Sequence, residues 1–87
     1  MNWIAWTSDE IQGLEKAGLV LLWTEIDDNG FVTRELGFDI EGRVIHKVPF
    51  GSKRFGLFDL QVITWSNIDK IKIEPERFNE IWFQTDD

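Results

Sequence analysis

Apolar positions along this chain follow two different periods, and those periods divide it into elements. The run Leu19-Val20-Leu21-Leu22-Trp23-Thr24-Glu25-Ile26 is rich in β-formers and reads as a strand buried on both faces for much of its length. Asp27-Asp28-Asn29-Gly30 follows, and Asn-Gly is the strongest short hairpin signal because both residues accept positive φ. Phe31 to Ile40 then alternates. Val32, Leu36, Phe38 and Ile40 fall on one face, and Phe31, Thr33, Glu35 and Asp39 on the other. Glu41-Gly42 makes a second tight turn into a strand over Arg43–Phe50, with Val44, His46, Val48 and Phe50 on one face. Pro49 near its end marks an edge or a terminus.

Helical spacing occurs near each end. Thr7 and Glu10 have the spacing of a capping box, Ile11, Leu14 and Glu15 follow, and Gly18 stands where a left-handed cap is wanted, which predicts a short helix over Ser8–Ala17. Near the other end, Glu74 at the N-cap and Pro75 at the first helical position precede Phe78, Ile81 and Trp82, an i, i+3, i+4 apolar stripe. Between them, Gly51–Gly56 reads as a basic loop and Leu57–Thr64 as a fourth strand. Trp65-Ser66-Asn67 breaks the pattern, and residues 68–73 fit either a turn or a short strand. The fold class is α+β: an antiparallel three- or four-stranded β-meander, with a short N-terminal helix and a C-terminal helix on one face.

Length and composition sharpen this. A chain of 87 residues makes one domain, and a domain of this size buries only roughly 60–65% of its unfolded surface. Five Trp and seven Phe help fill so thin a core. There is no Cys, which removes disulfides, thiolate metal sites and Cys nucleophiles and leans towards a reducing compartment. The first nine residues lack the basic-then-apolar order of a signal peptide, and the run Leu19–Trp23 is too short to span a bilayer, so a cytoplasmic location is expected.

The net charge of −7 is unevenly spread. Residues 1–41 carry nine acids and two bases, residues 42–56 four bases and no acid, and residues 57–87 seven acids and three bases. Most faces will repel nucleic acid and anionic membranes and attract a basic partner. Acidity also keeps a small protein soluble without further purpose.

No catalytic or cofactor chemistry stands out. Glu25, Asp27, Asn29 and Gly30 have part of the spacing of a calcium loop, but the closing bidentate Glu should fall at Leu36, and Glu35 is one residue short. His46 is the sole His, too few for zinc; it suits a structural histidine, partnered or at the sheet rim, and otherwise a general base beside a carboxylate. Gly51-Ser52-Lys53 has Ser and Lys in the wrong order for a phosphate loop. Sixteen acids always offer some carboxylate pair, yet a chain this short has little room for a glycosidase cleft. Trp23 and Trp82 suit the core. Trp3 and Trp6 suit either a staple packed on the sheet or an exposed anchor, because Trp is enriched among interface hot spots.

Several short motifs occur together: Thr24-Glu25-Ile26-Asp27 before Gly30, Arg34-Glu35, Gly42-Arg43, and Ile73-x-x-Glu76-x-Phe78-x-x-Ile81-Trp82. Over residues 19–50 and 73–82 this pattern resembles a family of small bacterial domains of uncharacterised activity, some of which look like immunity proteins of toxin–immunity systems. The stretch from Pro49 to Thr64 departs from it. The resemblance implies a hairpin, a turn and a helix stripe, and no catalytic residues.

Three readings follow. The first is a non-enzymatic immunity or inhibitor protein, whose acids Glu25, Asp27, Asp28, Glu35, Asp39 and Glu41 meet a basic toxin or nuclease, with Trp3 or Trp6 as anchor. The second is a small-ligand or carbohydrate-binding module. The third is an assembly subunit that forms a homodimer through its apolar excess. None calls for a metal, a cofactor, nucleic acid or a membrane.

Overall fold

The computed structural model describes residues 1–8, 13–49 and 71–85. They form a five-stranded antiparallel sheet and one helix: β1 (Asn2–Thr7), β2 (Leu21–Ile26), β3 (Val32–Phe38), β4 (Val44–Val48), β5 (Ile71–Lys72) and α1 (Pro75–Gln84). The strand order is β4-β3-β2-β1-β5. The class is therefore α+β, with β2, β3 and β4 in the expected meander.

The strand β1 is a departure from the sequence reading, which had Trp3 and Trp6 leading into a helix. Asn2–Thr7 pairs along its whole length with β2, from Asn2 opposite Ile26 to Thr7 opposite Leu21, and takes β5 on its other side through Ile4–Lys72 and Ala5–Ile71. Ile4 and Trp6 face one side, Trp3 the other, and both sides are covered. Such a strand in mid-sheet loses the polar half of the amphipathic signal.

The sheet has a core on each face. On one, Ile4, Trp6, Leu22 and Ile26 pack with Leu14 and Leu19 from the β1–β2 connection. On the other, Leu36 and Phe38 pack with Phe78 of α1, flanked by Trp3, Trp23, Ile81 and Trp82. The N-terminal connection and α1 therefore lie on opposite faces, not on one. Of the predicted Ser8–Ala17 helix, residues 9–12, including the capping-box Glu10, lie outside the described residues; Glu15–Ala17 forms a single 3-10 turn ended by Gly18 at φ 78°. The expected strand Leu57–Thr64 and the basic loop 51–56 also lie outside the described residues. The segment that fitted turn or strand contains β5, and the helix begins at Pro75 as predicted.

Two bulges reset the predicted faces. Between the pairs Glu25–Arg34 and Ile26–Val32, Thr33 is extra, so Val32 joins the Leu14 side while Arg34 points to α1. Between Gly37–His46 and Phe38–Val44, Ile45 is extra, so Val44 and His46 lie on opposite faces rather than one. Strand β4 ends at Val48, before the cis Val48–Pro49 bond. Gly37 matters for packing. A Cβ there would lie 2.7 Å from His46 Cβ and 2.7 Å from Leu19 Cδ1, so only a hydrogen lets Leu19 cover the sheet.

Candidate functional site

The two hairpin turns share one construction. Asp27 N–H donates to Phe31 O, and Gly30 N–H donates to Asp27 O. Asp27 Oδ1 accepts the backbone N–H of Asn29 at 2.9 Å and of Phe31 at 3.0 Å. Asp39, Gly42 and Arg43 repeat this pattern, with Asp39 Oδ1 accepting Glu41 N–H and Arg43 N–H at 2.9 Å. Gly30 and Gly42 sit at φ 89° and 82°. These are three-residue loops closed by a Gly in the left-handed region, not two-residue Asn-Gly turns. The short Asp side chain that mimics a backbone turn selects this form. One of the two carboxylate oxygens that a calcium loop would draw on at Asp27, Oδ1, is engaged by its own turn. Among the described residues no group of three or more His, Cys, Asp or Glu is arranged to hold a metal.

Two of the predicted surface acids are interior. Glu25 is 6% exposed on the α1 face. Its Oε1 accepts Arg34 Nε at 2.8 Å and Thr33 Oγ1 at 2.7 Å; its Oε2 accepts Arg34 Nη2 and, at 3.1 Å, Trp3 Nε1. Burial alone pushes this carboxyl up, but the hydrogen bonds from Arg34 and Thr33, the Arg34 charge and the Trp3 indole outweigh it and hold the carboxyl below its ordinary value of 4.5. Arg34 also donates to Asn79 Oδ1 at 2.7 Å and lies 4.8 Å from the Phe78 ring centre and 4.9 Å from that of Trp82. The bidentate fork and the stacking are what a guanidinium offers and an ammonium does not.

Glu35, 2% exposed, lies on the other face, and its Oε1 is 2.8 Å from His46 Nε2. Beside them Trp6 Nε1 donates to Thr24 Oγ1 at 2.8 Å, and Thr24 Oγ1 donates to Ile4 O. His46 is thus partnered, as a structural histidine would be. A Glu–His pair has the elements of a general base, but here both members are enclosed by the fold.

The remaining predicted residues divide between the ends of β3, a seven-residue strand that holds the two turns roughly 23 Å apart at about 3.3 Å per residue. At one end are Asp27, half-buried, and Asp28, exposed; the Met1 ammonium 2.5 Å away holds the Asp28 carboxyl below the usual range. At the other are Asp39, half-buried, and Glu41, exposed. The Arg43 backbone N–H is the main cause of the lowered Asp39 carboxyl, helped by the Arg43 side chain. The six acids therefore do not form one face. Trp3 is half-buried and Trp6 is buried, both with their indole N–H engaged inside.

Sequence reasoning named Arg34 only within a motif, without a role, and passed over Lys47. Lys47 is buried against α1, donating from Nζ to Trp82 O at 2.7 Å and Thr85 O at 2.6 Å, 4.7 Å from the Trp82 ring centre. It supplies a cation to the helix C-terminus, where the macrodipole is negative. Glu25 opposite Arg34 could have been found as a cross-strand pair of opposite charge. Nothing in the local sequence marks Lys47. No family model, no curated protein and no solved structure matches the chain.

Proposed function

We propose that this is a non-enzymatic binding domain of the cytoplasm that inhibits a basic protein, such as a toxin or nuclease, by covering its cationic surface. One observation carries the reading. Among the described residues the buried acids Glu25 and Glu35 are equalled in number by the enclosed bases Arg34 and Lys47, so the excess of acids over bases among these residues lies outside the interior. Glu15, Asp28, Glu41, Glu74, Glu76 and Glu80 are all exposed. Opposite charge raises the rate of capture and gives it a salt dependence. The likeness of the Thr24–Asp27, Arg34-Glu35, Gly42-Arg43 and Ile73–Trp82 motifs to immunity-type domains agrees with this reading. No helix among the described residues is long and apolar enough to cross a membrane.

The test is affinity capture of the tagged protein from its source lysate, washed at low and high salt, followed by an activity assay of what is retained. A basic protein that leaves at high salt and loses activity when this domain is added back supports inhibition. Retention of no basic protein, or of one whose activity the domain does not change, overturns it.

A further inference from the structure

The two hairpin turns have the same backbone and different tips. At the first the two outermost residues are Asp28 and Asn29; at the second they are Ile40 and Glu41. Ile40 is 81% exposed, the most exposed large apolar side chain among the described residues. The turn does not ask for it, since Asp28 occupies the equivalent position of an identical loop. A β-branched side chain is a poor choice there on conformational grounds as well. Val20 and Ile45, also exposed, stand at this end of the sheet: Val20 N–H donates to Phe38 O, and Ile45 Cδ1 borders Gly18. The tip is held in one shape by Asp39, which accepts Glu41 N–H, Arg43 N–H and, at 3.0 Å, Arg43 Nε. A fixed apolar knob beside an exposed carboxylate loses little conformational freedom on docking.

We propose that the β3–β4 turn is the docking end of the molecule, with Ile40 entering an apolar pocket of a basic protein and Glu41 meeting a Lys or Arg on the pocket's rim. This rests on the inhibitor reading above and names the surface it uses. The charge selects the occupant: a second copy would bring another net charge of −7 against the first, whereas a cationic rim complements the turn, where Asp39 and Glu41 outnumber Arg43, the one cation of the loop, which lies 3.4 Å from Glu41 Oε2.

The experiment uses the full chain carrying the photo-crosslinker benzoylphenylalanine at position 40, and separately at position 29 on the opposite turn, irradiated in source lysate. The crosslinked protein is then purified and its affinity measured for wild type, Ile40→Ser, Glu41→Lys and Asn29→Ser. Expected is a basic protein crosslinked from position 40 and not from 29, bound at least about tenfold more weakly by Ile40→Ser, as befits an apolar side chain withdrawn from a pocket. Glu41→Lys slows association and Asn29→Ser changes nothing. The Ile40→Ser melting temperature should match wild type, which separates lost docking from lost folding. A basic partner that crosslinks from 29, or that binds Ile40→Ser undiminished, overturns this surface and leaves the inhibitor reading standing. Crosslinks only to a second copy of the chain, or none to a basic protein from either position, also overturn this surface, and the inhibitor reading falls with it only where affinity capture retains no basic protein.

Discussion

Replacing Gly37 by Ala adds one methyl group where the sheet and its covering segment touch. The new Cβ would lie 2.7 Å from His46 Cβ, 2.7 Å from Leu19 Cδ1 and 2.9 Å from Leu19 Cδ2. Neither neighbour yields easily. His46 Cβ is fixed by β4 and by the bond to Glu35, and Leu19 is 1% exposed with packed atoms behind it. Overpacking of a filled core costs about 1–3 kcal/mol, and two clashing sides place this change near 3 kcal/mol. In a domain of this size such a loss lowers Tm by about 10–20 °C. Urea and thermal unfolding followed by tryptophan fluorescence would measure it. Leu19→Ala alone should cost about 2–5 kcal/mol through the cavity it leaves. The double variant should cost at least about 1 kcal/mol less than the two single costs together, because the methyl group added at position 37 then occupies part of that cavity. A Gly37→Ala protein melting within about 2 °C of wild type, or strict additivity with Leu19→Ala, would refute this close packing of Leu19 on the sheet.

Further expectations concern the groups beneath α1. Arg34→Met leaves Glu25 buried without its cation and should destabilise by about 3 kcal/mol, with Arg34→Met/Glu25→Gln recovering part of the loss in urea unfolding; a double variant less stable than Arg34→Met would count against the pair. Since the folded Glu25 carboxyl lies below 4.5, its contribution is fully present above that pH and is lost as pH falls through the lower folded value. Unfolding midpoints between about pH 6 and pH 3 should therefore fall less steeply for Glu25→Gln than for wild type, and parallel curves would reject this carboxylate as an acid-sensitive group. Lys47→Met removes the donor to Trp82 O and Thr85 O, and should speed hydrogen exchange in the last turn of α1 more than in β2; equal changes in both would show a global effect instead.

Strands and helix were readable wherever a period survived. The meander of β2, β3 and β4 and the start of α1 at Pro75 follow from local pattern, turn residues and a proline at the first helical position. What escaped was non-local. Strand β1 is buried on both faces, so its Trp and Ile looked like a prelude to a helix whose capping signal, Thr7 to Glu10, was stronger. The bulges at Thr33 and Ile45 shift the period by one, and no residue type at those positions announces it. The acids misled for a related reason. Glu25 and Glu35 sit on the adjacent strands β2 and β3; the hairpin register sets Arg34 opposite Glu25, while the bulge at Ile45 hides from the sequence how His46 reaches Glu35. By contrast Asp-x-x-Gly occurs twice, at Asp27–Gly30 and Asp39–Gly42, and that repeat was available in the sequence to identify the loop type.

The pairing of β1 with β5 bears on how the chain reaches this structure. Ile4 meets Lys72 and Ala5 meets Ile71, partners roughly 70 positions apart, and closure of so long a loop is an entropic cost that slows folding. The hairpins of β2, β3 and β4 close over short loops and have no such delay. During synthesis the first strand therefore emerges long before its outer neighbour exists, and until β5 arrives one edge of β1, with Ile4 and Ala5 in it, lacks that cover. Such an edge is a template for pairing with other chains. For this protein the interval that matters runs from the emergence of β1 to the emergence of β5 from the ribosome, and slower translation is expected to lengthen the exposure of that edge.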